Sequence, residues 1–82
     1  METNTSRRTN AIIERDLPPV AYFVRMERKR MGLTQEEFAD KVGVGIAFLK
    51  RLETGDENLH LGKVLQVLRS INADLYPKQN QN

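Results

Sequence analysis

The side chains of this chain that are best suited to chemistry are basic, and they fall into two groups. Four of them lie within residues 25–30, and a second pair follows at Lys50 and Arg51. Lysine and arginine bind phosphates, and arginine also pairs with the edge of guanine, which makes nucleic acid a candidate ligand. The same clusters are common on solvated helix faces, and a net charge of +2 fits nucleic-acid binding without requiring it.

The polar residues that most often carry catalysis or bind metals do not form a site here. The chain has no cysteine, which excludes disulfides, thiol catalysis and zinc fingers. His60 is the single histidine, and no ligand cluster accompanies it. Helix ends and turns account for the carboxylates at Glu36, Glu37, Asp56 and Glu57. We therefore expect no enzyme, no metal and no cofactor.

The length and the distribution of polar residues predict a single domain with two polar ends. We expect a flexible N-terminal arm over 1–16, which carries the apolar pair Ile12 and Ile13, a folded domain over 17–76 and a disordered tail over 77–82. No apolar run approaches the ~20 residues that cross a bilayer, and the first residues lack the apolar stretch of a signal peptide. These features predict a cytoplasmic protein with no membrane contact.

Periodic apolar residues predict four helices and a short strand after them. The helices are expected at about 19–31, 34–42, 45–54 and 60–72, and the strand at 73–76. Thr34 and Glu37 have the spacing of a capping box, which starts the second helix. The residues expected to face the core in the first and fourth helices are Val20, Phe23, Val24 and Met31, and then Leu61, Val64, Leu65, Leu68 and Ile71.

The second and third predicted helices have the layout of a helix-turn-helix. They are joined by Gly43, Val44 and Gly45, and the small side chain of Ala39 lets the two helices approach closely. In such a motif the second helix enters the major groove of DNA. The fold class predicted is therefore all-α, a compact helix-turn-helix domain of four main helices with a short C-terminal strand.

One face of the third helix is predicted to meet DNA. Steps of 100° per residue bring Ile46, Ala47, Lys50 and Arg51 together, while the leucines of that helix point the other way. Arg51 has the donors to grip guanine O6 and N7, and Ile46 and Ala47 can touch thymine methyl groups. The alternative is that Lys50 and Arg51 are solvated charges only.

Residues 33–44, followed by Leu49, Leu52-Glu53 and Gly55, resemble the Cro/C1-type (XRE family) helix-turn-helix, and the match extends over roughly 20–72. The resemblance implies a lambda-repressor-like fold. It also implies that Gln35 touches a phosphate or base at the groove edge, that Gly45 begins the recognition helix, and that Arg28 and Glu53 form a partly buried ion pair. The chain departs from the family at Gly45 and Ile46, where many members carry Ser or Thr and then a polar residue.

A narrower resemblance, to HipB-type antitoxins, lies in residues 43–49 and 61–68. Such proteins are short autorepressors encoded beside HipA-type kinase toxins. The resemblance implies a transcriptional repressor that controls its own operon, with a HipA-like kinase as a possible partner. Candidate surfaces for that partner are the arm at Ile12 and Ile13, the aromatic pair Tyr22 and Phe23, and the tail, although core packing is the simpler role for Phe23.

A symmetric homodimer is expected, because one helix-turn-helix reads only half of a palindromic operator in double-stranded DNA. The predicted contact is the fourth helix with the strand formed by Ala73, Asp74, Leu75 and Tyr76. Two other functions stay open: a stand-alone phage- or plasmid-type regulator without a toxin partner, and a protein-interaction module whose helix-turn-helix no longer binds DNA.

Overall fold

Four α-helices account for most of the folded chain. A computed structural model describes residues 17–75 and Pro77. The helices are α1 (Pro19–Arg30), α2 (Gln35–Val42), α3 (Ile46–Glu53) and α4 (Leu61–Ser70). Each one lies within one or two residues of a predicted helix at both ends, and the predicted all-α helix-turn-helix fold is confirmed.

Local hydrogen bonds define both ends of α2. The Glu37 backbone N–H donates to Thr34 Oγ1 at 3.1 Å, and the Thr34 N–H donates to the Glu37 carboxylate at 2.8 Å, which completes the capping box. At the other end Gly43 takes the left-handed conformation, with φ of 81°, and its N–H donates to Ala39 O. The helix therefore stops at the residue where the chain must turn toward α3.

The hydrophobic core is built by all four helices. Phe38 of α2 and Leu49 of α3 are completely buried at its centre, and Ala39 allows the close approach of these two helices. The other buried apolar residues of this core are Val24, Val42, Leu52, Val64, Val67 and Leu68. Because α3 buries its leucines in this core, its opposite face is turned to solvent.

The short strand predicted over 73–76 is wrong for the residues that the structure describes. Asn72 has a φ of 60°, and the Ala73 N–H donates to Leu68 O at 2.8 Å, so the chain closes the end of α4 there. Residues 73–75 then have no regular structure, and Tyr76 lies outside the described residues. A strand needs a neighbour for its ladder of hydrogen bonds, and no strand occurs among the described residues of this chain.

Two residues expected in the core lie at the surface instead. Phe23 is 40% exposed and Leu61 is 60% exposed, whereas Ala21 and Val67 are buried without having been expected there. No helix within residues 17–75 is long and apolar enough to span a membrane. The predicted arm over 1–16 and, apart from Pro77, the predicted tail over 77–82 lie outside the described residues.

Candidate nucleic-acid interface

The outer face of α3 consists of Ala47, Lys50 and Arg51, all of which are exposed. Ile46, which was predicted on the same face, is half-buried and packs against the core. Gly45 is the exposed N-cap residue of α3, and no side chain caps this helix end. The structure therefore brings three of the predicted DNA-facing side chains together on one surface and turns Ile46 partly inward.

Arg51 is held by the loop that follows α3. Its Nε donates to Asp56 Oδ2 at 2.7 Å, and its Nη2 donates to the Asn58 carbonyl at 3.0 Å. Asp56 Oδ1 accepts the Asn58 N–H at 2.8 Å, so one carboxylate joins the arginine to the loop backbone. The Arg51 side chain is still 52% exposed, and it remains available at the surface of α3.

Those contacts also lower the pKa of the Asp56 carboxyl. The larger cause is the hydrogen bond from the Asn58 backbone N–H, and the hydrogen bond from Arg51 adds to it. Because the pKa of Asp56 is lower in the folded state than in the unfolded state, the ionised carboxylate stabilises the fold at every pH above its unfolded-state pKa. That stabilisation is lost as the pH falls through the folded-state pKa. The arrangement is therefore intact at neutral pH.

Gln35 belongs to a hydrogen-bonded network around the buried carboxylate of Glu53. The Arg28 guanidinium donates to Glu53 through Nε at 2.7 Å and through Nη2 at 3.0 Å. Gln35 Nε2 donates to Glu53 Oε1 at 3.1 Å, and Arg28 Nη1 donates to Leu33 O at 2.8 Å. Since these residues come from α1, α2, α3 and the loop between α1 and α2, the network fixes α3 against the rest of the fold.

The basic cluster over 25–30 is partly structural. Arg28 lies in the Glu53 network, and Arg30 makes an exposed ion pair with Glu27 at 2.7 Å. The hydrogen bond to Glu27 raises the pKa of Arg30. At least two of these four cations are therefore engaged within the fold.

Two residues of α4 contact α3 and the turn that follows α2, and the sequence did not predict either contact. Gln66 Nε2 donates to the carbonyls of Val42 and Gly43, both at 3.0 Å. Lys63 places its ammonium 5.9 Å from the ring centre of Phe48. A glutamine and a lysine on an exposed helix face have no spacing that indicates these contacts, because both partners lie on other elements.

Comparison with known proteins points to the same segment of the chain. The family model described as "Helix-turn-helix" matches residues 24–76, which contain most of α1 and all of α2, α3 and α4. Over 56 residues the chain is 39% identical to an uncharacterized HTH-type transcriptional regulator, y4mF, of Sinorhizobium fredii (strain NBRC 101917 / NGR234). That alignment covers 68% of this chain and 74% of the relative.

Proposed function

This chain belongs to the helix-turn-helix family of DNA-binding transcriptional regulators, and from that premise we propose that it is a sequence-specific repressor whose α3 reads the operator. The observation that carries the proposal is the division of α3 into two faces. Leu49 and Leu52 are buried, while Ala47, Lys50 and Arg51 are exposed together. A helix of eight residues is about 12 Å long, which suits a major groove about 12 Å wide.

Gln35 has a role at the edge of that interface. Its amide nitrogen carries two hydrogens, and one of them is directed to Glu53. The other hydrogen is the donor that we assign to a phosphate or a base next to the groove. A glutamine that the Glu53 network already orients offers this donor with little loss of side-chain freedom.

The proposed repressor binds its operator as a homodimer. One copy supplies one recognition helix, and a palindrome with two half-sites about 34–36 Å apart requires two. The proposed contact includes α4 and the segment from Ala73 to Tyr76. Support for it comes from Leu75, an exposed apolar side chain next to α4 whose backbone has no regular structure in the single chain.

Footprinting on the DNA upstream of the gene tests this function. The full chain is expected to protect two half-sites about 10–10.5 base pairs apart, with affinity that falls as the salt concentration rises. A chain without residues 74–82 is the matched comparison, because it retains the Ala73 N–H that donates to Leu68 O. The shortened chain should sediment as a monomer and should no longer protect both half-sites together.

Two results would count against these assignments separately. Equal protection of upstream and scrambled DNA by the full chain would refute the repressor. Unchanged sedimentation and joint protection after removal of residues 74–82 would remove this segment from the dimer contact while leaving DNA recognition in place.

The finer assignment is an antitoxin that restrains a HipA-like kinase. It rests on the resemblance of residues 43–49 and 61–68 to HipB-type proteins, and the exposed aromatic pair Tyr22 and Phe23 on α1 offers an apolar surface outside α3. Co-expression with the kinase-like product of a neighbouring gene should yield a complex. Phe23→Glu is expected to break it, and Lys41→Glu, at an exposed site on α2, should leave it intact.

If the neighbouring product never copurifies with this chain, a stand-alone regulator replaces the antitoxin. Loss of the complex in both glutamate variants would instead mean that the aromatic pair is not the specific contact.

A further inference from the structure

The guanidinium of Arg51 donates to the loop after α3 through Nε and Nη2, while the Arg51 side chain is 52% exposed. A guanidinium has five N–H groups in a rigid plane. The Nε–H and one Nη2–H point side by side on one edge of this plane. In Arg51, Nε donates to Asp56 Oδ2 at 2.7 Å and Nη2 donates to Asn58 O at 3.0 Å. The remaining parallel pair, one hydrogen on Nη1 and the second on Nη2, lies along the far end of the group.

That far edge matches the hydrogen-bond acceptors of guanine. In the major groove guanine presents N7 and O6, which accept two parallel N–H bonds, whereas adenine presents N7 beside an amino donor. An arginine that is already held by its other edge loses little rotamer freedom when it binds guanine. Adenine offers such an arginine only one acceptor. We propose that Asp56, through its contacts with Arg51 and Asn58, is a specificity-determining residue that positions Arg51 to read one guanine in each half-site.

A base contact explains the arrangement better than a phosphate contact does. A carboxylate at 2.7 Å offsets the positive charge that would attract a phosphate, and it would itself repel one. A bidentate pair with guanine depends on the direction of the donors, which the carboxylate fixes. Asp56 therefore lowers general affinity for DNA while it sharpens the choice of base. This inference rests on the proposed role of α3 as the recognition helix.

The test is a competition binding series with the full chain. Each G·C pair of the half-site is replaced in turn by A·T, and random DNA serves as the reference. The wild-type protein is expected to prefer guanine at one position by about tenfold, within the range for a bidentate contact. Arg51→Ala should remove that preference, and the double variant with Asp56→Ala should equal Arg51→Ala in base preference.

Asp56→Ala alone should lose most of the guanine preference and bind random DNA more tightly, because a negative charge near the phosphates is gone. Asp56→Asn is the second variant, since its side-chain oxygen can still accept the Asn58 N–H while its amide cannot replace the carboxylate at Arg51. Asp56→Asn should also lose the preference for guanine, although the loop keeps its hydrogen bond from the Asn58 N–H. Glu57→Ala removes a neighbouring exposed carboxylate and should raise affinity for every sequence equally, with the preference unchanged.

The inference is overturned if both Asp56 variants keep the guanine preference or behave as Glu57→Ala does. Uniform weakening by Arg51→Ala on all DNA would assign Arg51 to a phosphate and also overturn it, while the proposed recognition by α3 would stand. If the wild-type protein does not distinguish upstream from random DNA, the proposed function itself fails, which is a separate outcome of the same series.

Discussion

Replacing Glu53 with alanine should lower the free energy of unfolding by about 3–5 kcal/mol, measured by urea denaturation at neutral pH. The carboxylate is completely buried and accepts hydrogen bonds from Arg28 and Gln35. Its removal leaves the Arg28 guanidinium, whose side chain is only 12% exposed, without a counter-charge. A loss of this size is a large part of the total stability of about 5–15 kcal/mol that is usual for a domain.

Glu27→Ala is the matched control for the Glu53 variant, because it also removes one glutamate from an arginine at 2.7 Å. The pair that Glu27 makes with Arg30 is exposed, and its loss should lower the free energy of unfolding far less than the Glu53 substitution does. Glu53→Gln retains an acceptor for Gln35 and is expected to fall between the two. Similar stabilities for Glu53→Ala and Glu27→Ala would show that burial does not strengthen the Arg28 pair.

Ala47→Glu should weaken operator binding by more than about a hundredfold. Ala47 lies on the exposed face of α3 in its first turn, and a carboxylate there would face the negative charge of DNA, at a cost of several kcal/mol. The fold should be unaffected, because the side chain is solvent-exposed and glutamate is a good helix former. Fluorescence anisotropy at fixed ionic strength measures the change.

Met26→Glu adds the same charge to the exposed side of α1 and serves as the control for Ala47→Glu. It should change operator affinity by less than about threefold, since an exposed charge on a helix other than α3 is largely screened by salt. If the two glutamates weaken binding equally, the effect is one of net charge, and α3 is not the helix that enters the groove.

Local sequence determined the helix boundaries well. The capping box at Thr34 and Glu37 was predictable because its two hydrogen bonds join residues three positions apart, and the left-handed end at Gly43 depends on one residue. Contacts between elements were harder to foresee. The ion pair between Arg51 and Asp56 depends on the conformation of the loop after α3. The two residues are five positions apart, which is longer than the three- or four-residue spacing of helix neighbours, so their spacing did not indicate the pair.

Helical periodicity identified the buried face of α4 only in part. It placed Val64 and Leu68 correctly in the core, but Leu61 repeats at the same spacing and remains exposed in the first turn. The helical repeat of apolar residues predicts the direction in which a side chain points. Burial also requires that another helix pack against α4 at that position along its axis. The pairing of Arg28 with Glu53 has no signature in spacing either, and its expectation came from a family resemblance.

The Glu53 network has a consequence for the DNA as well as for the protein. In the proposed complex α3 has its carboxyl end bound to both preceding helices, which resists tilting of α3 to follow an unfavourable groove. In the proposed dimer, misfit between the two half-sites must then be relieved by bending or twisting the base pairs that lie between them. The energy of that deformation depends on the sequence of those uncontacted steps, and stiff and flexible centres would therefore be distinguished without any side chain touching them.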